Sequence, residues 1–115
     1  MATHVADLDA IFSAMAHPIR RSMLERLASG HATVGQLAAP HPVSLPAISR
    51  HLRVLEHAGL LTQEADGRIR QCSLQAAPLA AAFGWLTRYR VFWEDRLDAL
   101  EDYLQTDHET EDNEA

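Results

Sequence analysis

Cysteine occurs once in the chain, at Cys72, and lysine does not occur at all. A lone cysteine excludes an intrachain disulfide and agrees with a reducing compartment, so the cytoplasm is the expected location. Without lysine, every basic side chain is a guanidinium, planar and fork-shaped rather than a point charge. No apolar run approaches the ~20 residues that cross a bilayer, and Met1–Asp7 lack the basic start and apolar stretch of a secretory signal. No membrane partner is therefore expected. The patterns of catalysis are missing too: there is no nucleophile elbow, no glycine-rich phosphate loop and no pair of carboxylates on a predicted cleft. Neither an enzyme nor a cofactor is expected.

What is present fits one globular domain. The chain has 115 residues, 47% of them hydrophobic and 23% charged, enough for one modest core but not two. Its net charge of −6 is unevenly spread. Residues 1–75 carry seven Arg and six acids, net +1, while residues 76–115 carry three Arg and ten acids, net −7. A local basic surface matters more for phosphate contact than the sum over the chain.

Leu8, Ile11, Phe12 and Met15 recur at helical spacing over 7–16. His17-Pro18 ends that helix and opens a second, which carries Ile19, Met23, Leu24 and Leu27 and stops at Ser29-Gly30. Thr33 with Gln36 is a capping-box pattern for a short third helix. The Pro40-His41-Pro42 turn follows. Ser44 then caps a fourth helix with Pro46 in its first turn, Ile48, Leu52 and Leu55 facing inward, Val54 beside them, and Gly59 just past its end. Two strand candidates, Leu60–Glu64 and Arg68–Leu74, flank Asp66-Gly67, a strong hairpin signal. Neither face of this ribbon is purely apolar, so it should project from the body. Pro78 opens a last helix reaching about Tyr103 or Leu104, roughly 40 Å at 1.5 Å per residue. Its aromatic and leucine residues want more burial than one small monomer offers. Residues 106–115 lack apolar side chains before Ala115 and are expected to be a disordered acidic tail, leaving 1–105 as the domain.

Two helices joined by a tight turn and followed by a hairpin make a winged helix-turn-helix: mainly α with a small β-hairpin wing, in the order four helices, two strands, one long helix. The second helix of such a pair enters the major groove of duplex DNA N-terminus first. The candidate contacts are Ser44, Leu45, Pro46, Ser49, Arg50, His51 and Arg53 on that helix, with Arg68 and Arg70 on the wing. Serine hydroxyls bond phosphates or base edges, arginine pairs with guanine or neutralises phosphate, and a helix N-terminus favours an anion. Arg20 and Arg21 read as solvated, and His17 as packing at the corner between the first two helices.

The run Ser49-Arg50-His51-Leu52-Arg53-Val54-Leu55-Glu56-His57-Ala58-Gly59-Leu60, together with Ala16-His17-Pro18-Ile19-Arg20-Arg21 and the wing Asp66-Gly67-Arg68, resembles the ArsR family of bacterial regulators over about residues 5–104. The resemblance implies a homodimer joined through the first and last helices, here Leu8, Ile11, Phe12, Leu86, Tyr89, Phe92, Trp93, Leu97 and Leu100. It also implies an inverted-repeat DNA operator and repression relieved by a small-molecule or protein inducer. The thiolate metal box of many members has no counterpart in Thr33-Val34-Gly35-Gln36-Leu37-Ala38. A second family metal pattern matches Asp95, His108 and Glu111 only out of register; in register the positions are Ala76, Pro78, Tyr89 and Phe92, which are poor ligands. No metal site is therefore expected. Trp85–Leu97 is similar to a metal-free branch often encoded beside START-like ligand-binding proteins. Trp85, Tyr89, Phe92 and Trp93 read as dimer core rather than as a ligand pocket, and Cys72 as an inert wing residue. The rival readings are a metal- or redox-responsive repressor of the same family and a winged helix that binds protein instead of DNA.

Overall fold

A computed structural model describes the backbone of residues 7–114 and the side chains of residues 7–106. The chain divides into two compact units that meet in sequence at Phe83-Gly84.

In the first unit, α1 (Leu8–Met15) is capped by Asp7, whose carboxylate accepts from the Ala10 amide at 3.0 Å. α2 (Pro18–Ala28) begins at Pro18, and β1 (Ala32–Thr33) leads into α3 (Val34–Ala38). The capping box forms in both directions. The Gln36 amide donates to Thr33 Oγ1 at 3.0 Å and the Thr33 amide donates to Gln36 Oε1 at 2.9 Å. Helix α4 (Leu45–His57) is capped by Ser44 and closed by Gly59, which takes φ +78°. There the Gly59 amide donates to Glu56 O and the Leu60 amide to Leu55 O, both at 3.0 Å, a Schellman closure with Leu55 and Leu60 buried together.

The wing is β2 (Leu61–Asp66) and β3 (Ile69–Leu74), paired antiparallel from Leu61 opposite Leu74 to Asp66 opposite Ile69. The loop is therefore the two residues Gly67-Arg68. Only Gly67 has positive φ, +65°, which is the II′ hairpin pattern. This corrects the expected boundaries: the first strand begins at Leu61 and is paired two residues further out, to Asp66, and the second begins at Ile69, so that Arg68 sits in the turn. β1 adds a third strand on the other edge of β3, with Ala32 opposite Cys72. The base of the ribbon thus lies in the core, where Leu61 and Cys72 are buried, and only its distal half is exposed on both faces.

The core joins Ala14, Met23, Leu24 and Leu27 to Leu37, Ile48, Leu52, Leu55, Leu60, Leu61 and Cys72. Ile11 is 1% exposed, a buried residue of its own chain rather than the surface contact expected for a dimer. Val54, expected beside the inward set, is 38% exposed.

Helix α5 (Ala77–Leu86) carries the chain across the boundary between the units, and a 3₁₀ turn (Thr87–Tyr89) and α6 (Arg90–Glu114) follow. The single long helix expected from the sequence is therefore interrupted. Thr87 Oγ1 donates to Gly84 O at 2.6 Å, competing with the helical ladder at a residue with no side chain to support it. The backbone of 106–114, expected to be disordered, continues α6, since extending an existing helix costs little. Ala115 lies outside the described residues.

Leu55→Ala removes a side chain with 0% exposure at the centre of the first unit. It should cost about 2–5 kcal/mol, read as a lower urea midpoint at unchanged m-value.

Candidate nucleic-acid interface

Burial fixes which way α4 faces. Ile48, Leu52 and Leu55 are each 2% exposed or less, one stripe at helical spacing turned into the core. Ser49, Arg50 and Arg53 lie on the remaining circumference and are exposed. At the amino end, Ser44 Oγ accepts from the Ala47 amide at 3.3 Å, Pro46 occupies the first turn, and Leu45 is 67% exposed. The unsatisfied amides and partial positive charge of this helix end face solvent beside Leu45 and Pro46.

The wing meets α4 from one side. A hollow of about 290 Å³ is lined by Ser49, Arg53 and Glu56 of α4 together with Gln63 of β2 and Arg70 of β3. Two of the predicted arginines thus share one concavity, and Arg70 Nη1 donates to Gln63 Oε1 at 3.4 Å. Arg53 also lines, together with Arg50, a second groove of about 540 Å³ bordered by Ala10 and Ser13 of α1 and Val54 of α4. Arg68 is exposed at the tip of the wing. Among the described residues, none of Arg50, Arg53, Arg68 and Arg70 is in an ion pair; the one such pair joins Arg90 to Glu94 at 2.7 Å. Four guanidinium groups outside any ion pair therefore surround the outward side of α4 and the wing, with the Glu56 carboxylate in the same hollow as Arg53 and Arg70.

His51 departs from its expected setting. It is half-buried, its ring 4.3 Å from that of His17, and its Nδ1 lies 3.1 Å from Arg20 Nη1. Arg20 is not solvated as expected. Its Nε donates to Ala14 O at 2.7 Å and its Nη2 to Ser13 O at 3.0 Å, while Arg21 Nη1 donates to Met15 O at 3.0 Å. Both arginines thus supply donors to carbonyls at the end of α1, where Ser13 O also accepts from the Ala16 amide at 3.1 Å. His17 caps α2, its Nδ1 accepting from the Ile19 amide at 3.1 Å. Sequence reasoning missed the Arg20–His51 bond, which spans 31 positions and has no local signature.

In the second unit, Leu86, Tyr89, Phe92, Trp93, Leu97 and Leu100 are all between 46% and 60% exposed. Phe92 meets Trp93 edge-on and lies under the Arg96 guanidinium, 4.6 Å from its ring centre.

Known proteins match this architecture. A helix-turn-helix domain family matches residues 15–64. The HTH-type transcriptional regulator Rv2034 of Mycobacterium tuberculosis is 42% identical over 81 residues, 70% of this chain and 76% of that protein. The transcriptional repressor SdpR of Bacillus subtilis is 30% identical over 79 residues, 69% of this chain and 88% of that one. Among solved structures, the ArsR family transcriptional regulator RHA00566 superposes with a TM-score of 0.72 at 38% identity, covering 82% of this chain and 97% of its own. An ArsR-like transcriptional regulator from Rhodococcus sp. RHA1 superposes at 0.64 with 30% identity, covering 84% and 92%.

Among the described residues, no group of three or more His, Cys, Asp or Glu could hold a metal ion. The side chains of His108 and Glu111, two of the three out-of-register matches, lie outside the described residues. Cys72 is fully buried, and burial followed by the nearby Glu56 charge raises its pKa, with Arg70 opposing weakly. A thiol so placed holds little thiolate at neutral pH and is slow to oxidise. A thiol-reactive reagent should therefore leave the folded protein unmodified and label Cys72 stoichiometrically in denaturant, read by mass spectrometry.

Proposed function

The chain belongs to the ArsR family of winged helix-turn-helix transcriptional regulators, and on that premise we propose that it is a cytoplasmic, homodimeric repressor that reads an inverted-repeat operator with α4 and the wing. The observation that carries this reading is the set of exposed, unpaired arginines around one helix whose opposite stripe is buried. In the proposed complex the amino end of α4 enters the major groove. Ser44 and the free amides there meet phosphate. Ser49, Arg50 and Arg53 reach base edges or flanking phosphates, and Leu45 offers an apolar contact to a thymine methyl. Arg68 and Arg70 follow the backbone from the wing. His51 supports α4 from its half-buried side. Repression is the activity in the printed name of the Bacillus relative, and is carried over here as part of the proposal.

The dimer is supported by Leu86, Tyr89, Phe92, Trp93, Leu97 and Leu100, with Leu8 and Phe12 of α1 half-buried. An exposed aromatic and leucine surface of this extent on one small chain is a mark of association. Symmetry then matches a two-fold protein to a two-fold operator.

Two experiments test the reading. The double variant Arg50→Ala, Arg68→Ala, folded and dimeric, should bind operator at least about tenfold more weakly, and the log–log slope of affinity against salt should flatten by about one for each phosphate that is no longer neutralised. Equal affinity and slope would remove the reading. Separately, Leu97→Glu should convert the dimer to a monomer by light scattering and weaken operator binding with it. A Leu97→Glu protein that remains dimeric would place the interface elsewhere.

A further inference from the structure

Three helices meet at one guanidinium. Arg20, in the first turn of α2, holds the carbonyls of Ser13 and Ala14 at the end of α1 with two of its donors and His51 in the middle of α4 with a third. Arginine donates and never accepts. The 3.1 Å bond to His51 Nδ1 therefore requires a lone pair there, so this arrangement holds the imidazole neutral with its proton on Nε2. His17, at the cap of α2, lies against the same ring. A hollow of about 280 Å³ lined by Arg20, Ala47, Arg50, His51 and Val54 adjoins the pair.

We propose that Arg20 is a positioning residue for operator recognition, fixing the orientation of α4 through His51, and that the fixing holds only while His51 is neutral. A proton on Nδ1 turns the acceptor into a donor and sets two cations face to face, so the bond to Nη1 opens while the two bonds to α1 remain. The groups that act on His51 are His17 at the start of α2, Arg20 on α2, Arg50 on α4 itself and His41 in the turn before α4, with no carboxylate among them. Burial first, and then these neighbours, lower its pKa from the usual histidine value. The link is thus intact at neutral pH and lost as pH falls through the lowered pKa, below the ordinary value of about 6.5.

The proposal rests on the operator-binding reading of α4, so its test has one arm without DNA and one with it. In the first, the histidine rings of the isotopically labelled protein are titrated by NMR. His51 should titrate below about 6.5 in the wild type, and Arg20→Gln should raise its midpoint by about half a pH unit or more, since a neighbouring cation has been removed. An unchanged midpoint in Arg20→Gln would overturn the coupling. In the second arm, a duplex enriched from a random library by the wild type at pH 7.5 is compared with a scrambled duplex of equal length. The ratio of the two affinities, which cancels the general gain of positive charge on acidification, is followed down to pH 5.5.

The expected result is a ratio that falls about tenfold in the wild type, consistent with the opening of one well-formed hydrogen bond. It should be flat in His51→Gln, whose amide oxygen still accepts from Arg20, and low and flat in Arg20→Gln. If His51 instead touches DNA directly, Arg20→Gln keeps the wild-type pH profile, and the positioning role is overturned. Circular dichroism at each pH confirms that every variant is folded; should Arg20→Gln unfold, Arg20→Met, which also lacks the charge and the donors, takes its place with the same expected profile. A wild-type ratio that stays flat overturns this proposal alone. Failure to enrich any duplex overturns the operator reading and this proposal with it.

Discussion

Everything that α4 can do follows from the burial of its inner stripe. Ile48, Leu52 and Leu55 have almost no exposed surface, and each contributes on the order of 1.5–3 kcal/mol by leaving water. Rotating the helix would expose that stripe and bury Arg50 and Arg53 without partners, which costs far more than it returns. The apolar spacing therefore sets the polar display. The ends are set as firmly, by Ser44 at one and by Gly59 with Leu60 at the other. Arg20 adds a polar tie between this helix and the helices behind it, and His51 is where that tie lands.

The acidic chain and the nucleic-acid reading are compatible because charge is segregated along the sequence. The surface around α4 and the wing carries arginines without ion-pair partners, while the excess of acids falls after residue 76, mostly along α6. Acidic flanks also discourage loose, sequence-independent attachment to phosphate, a property that raises selectivity at the expense of bare affinity. Guanidinium groups suit the task, since each pairs in a fixed plane with guanine or phosphate.

The parts of the fold that could be read beforehand are those whose cause is local. Thr33 with Gln36, Ser44 before Pro46, and Gly59 after His57 mark helix ends through bonds between residues a few positions apart. The buried stripe of α4 was legible for the same reason. What escaped was set at a distance or by a single atom. β1 is two residues long and exists only because Cys72 and Gln71 lie opposite it. The 3₁₀ turn before α6 coincides with one hydroxyl bond, Thr87 to Gly84, inside a strongly helical composition. Arg20 read as solvated because two of its partners are carbonyls, which carry no sequence identity, and the third, His51, lies 31 positions away. Of the candidate DNA contacts, Arg53 and Arg70 are brought into one hollow, Arg53 and Arg50 share a second groove, Arg68 stands exposed in the wing turn, and His51 is half-buried.

In the proposed complex, α4 and the wing of a dimer face the two halves of an operator. Since Cys72 is buried, a cysteine substituted for exposed Val43, just before the cap of α4, is the reactive thiol to which a DNA-cleaving iron chelate can be tethered. On an enriched operator two cleavage centres are expected, related by two-fold symmetry and about one helical turn of 10–10.5 base pairs or a multiple of it apart. Cleavage scattered along the duplex, or confined to its flanks, would contradict it.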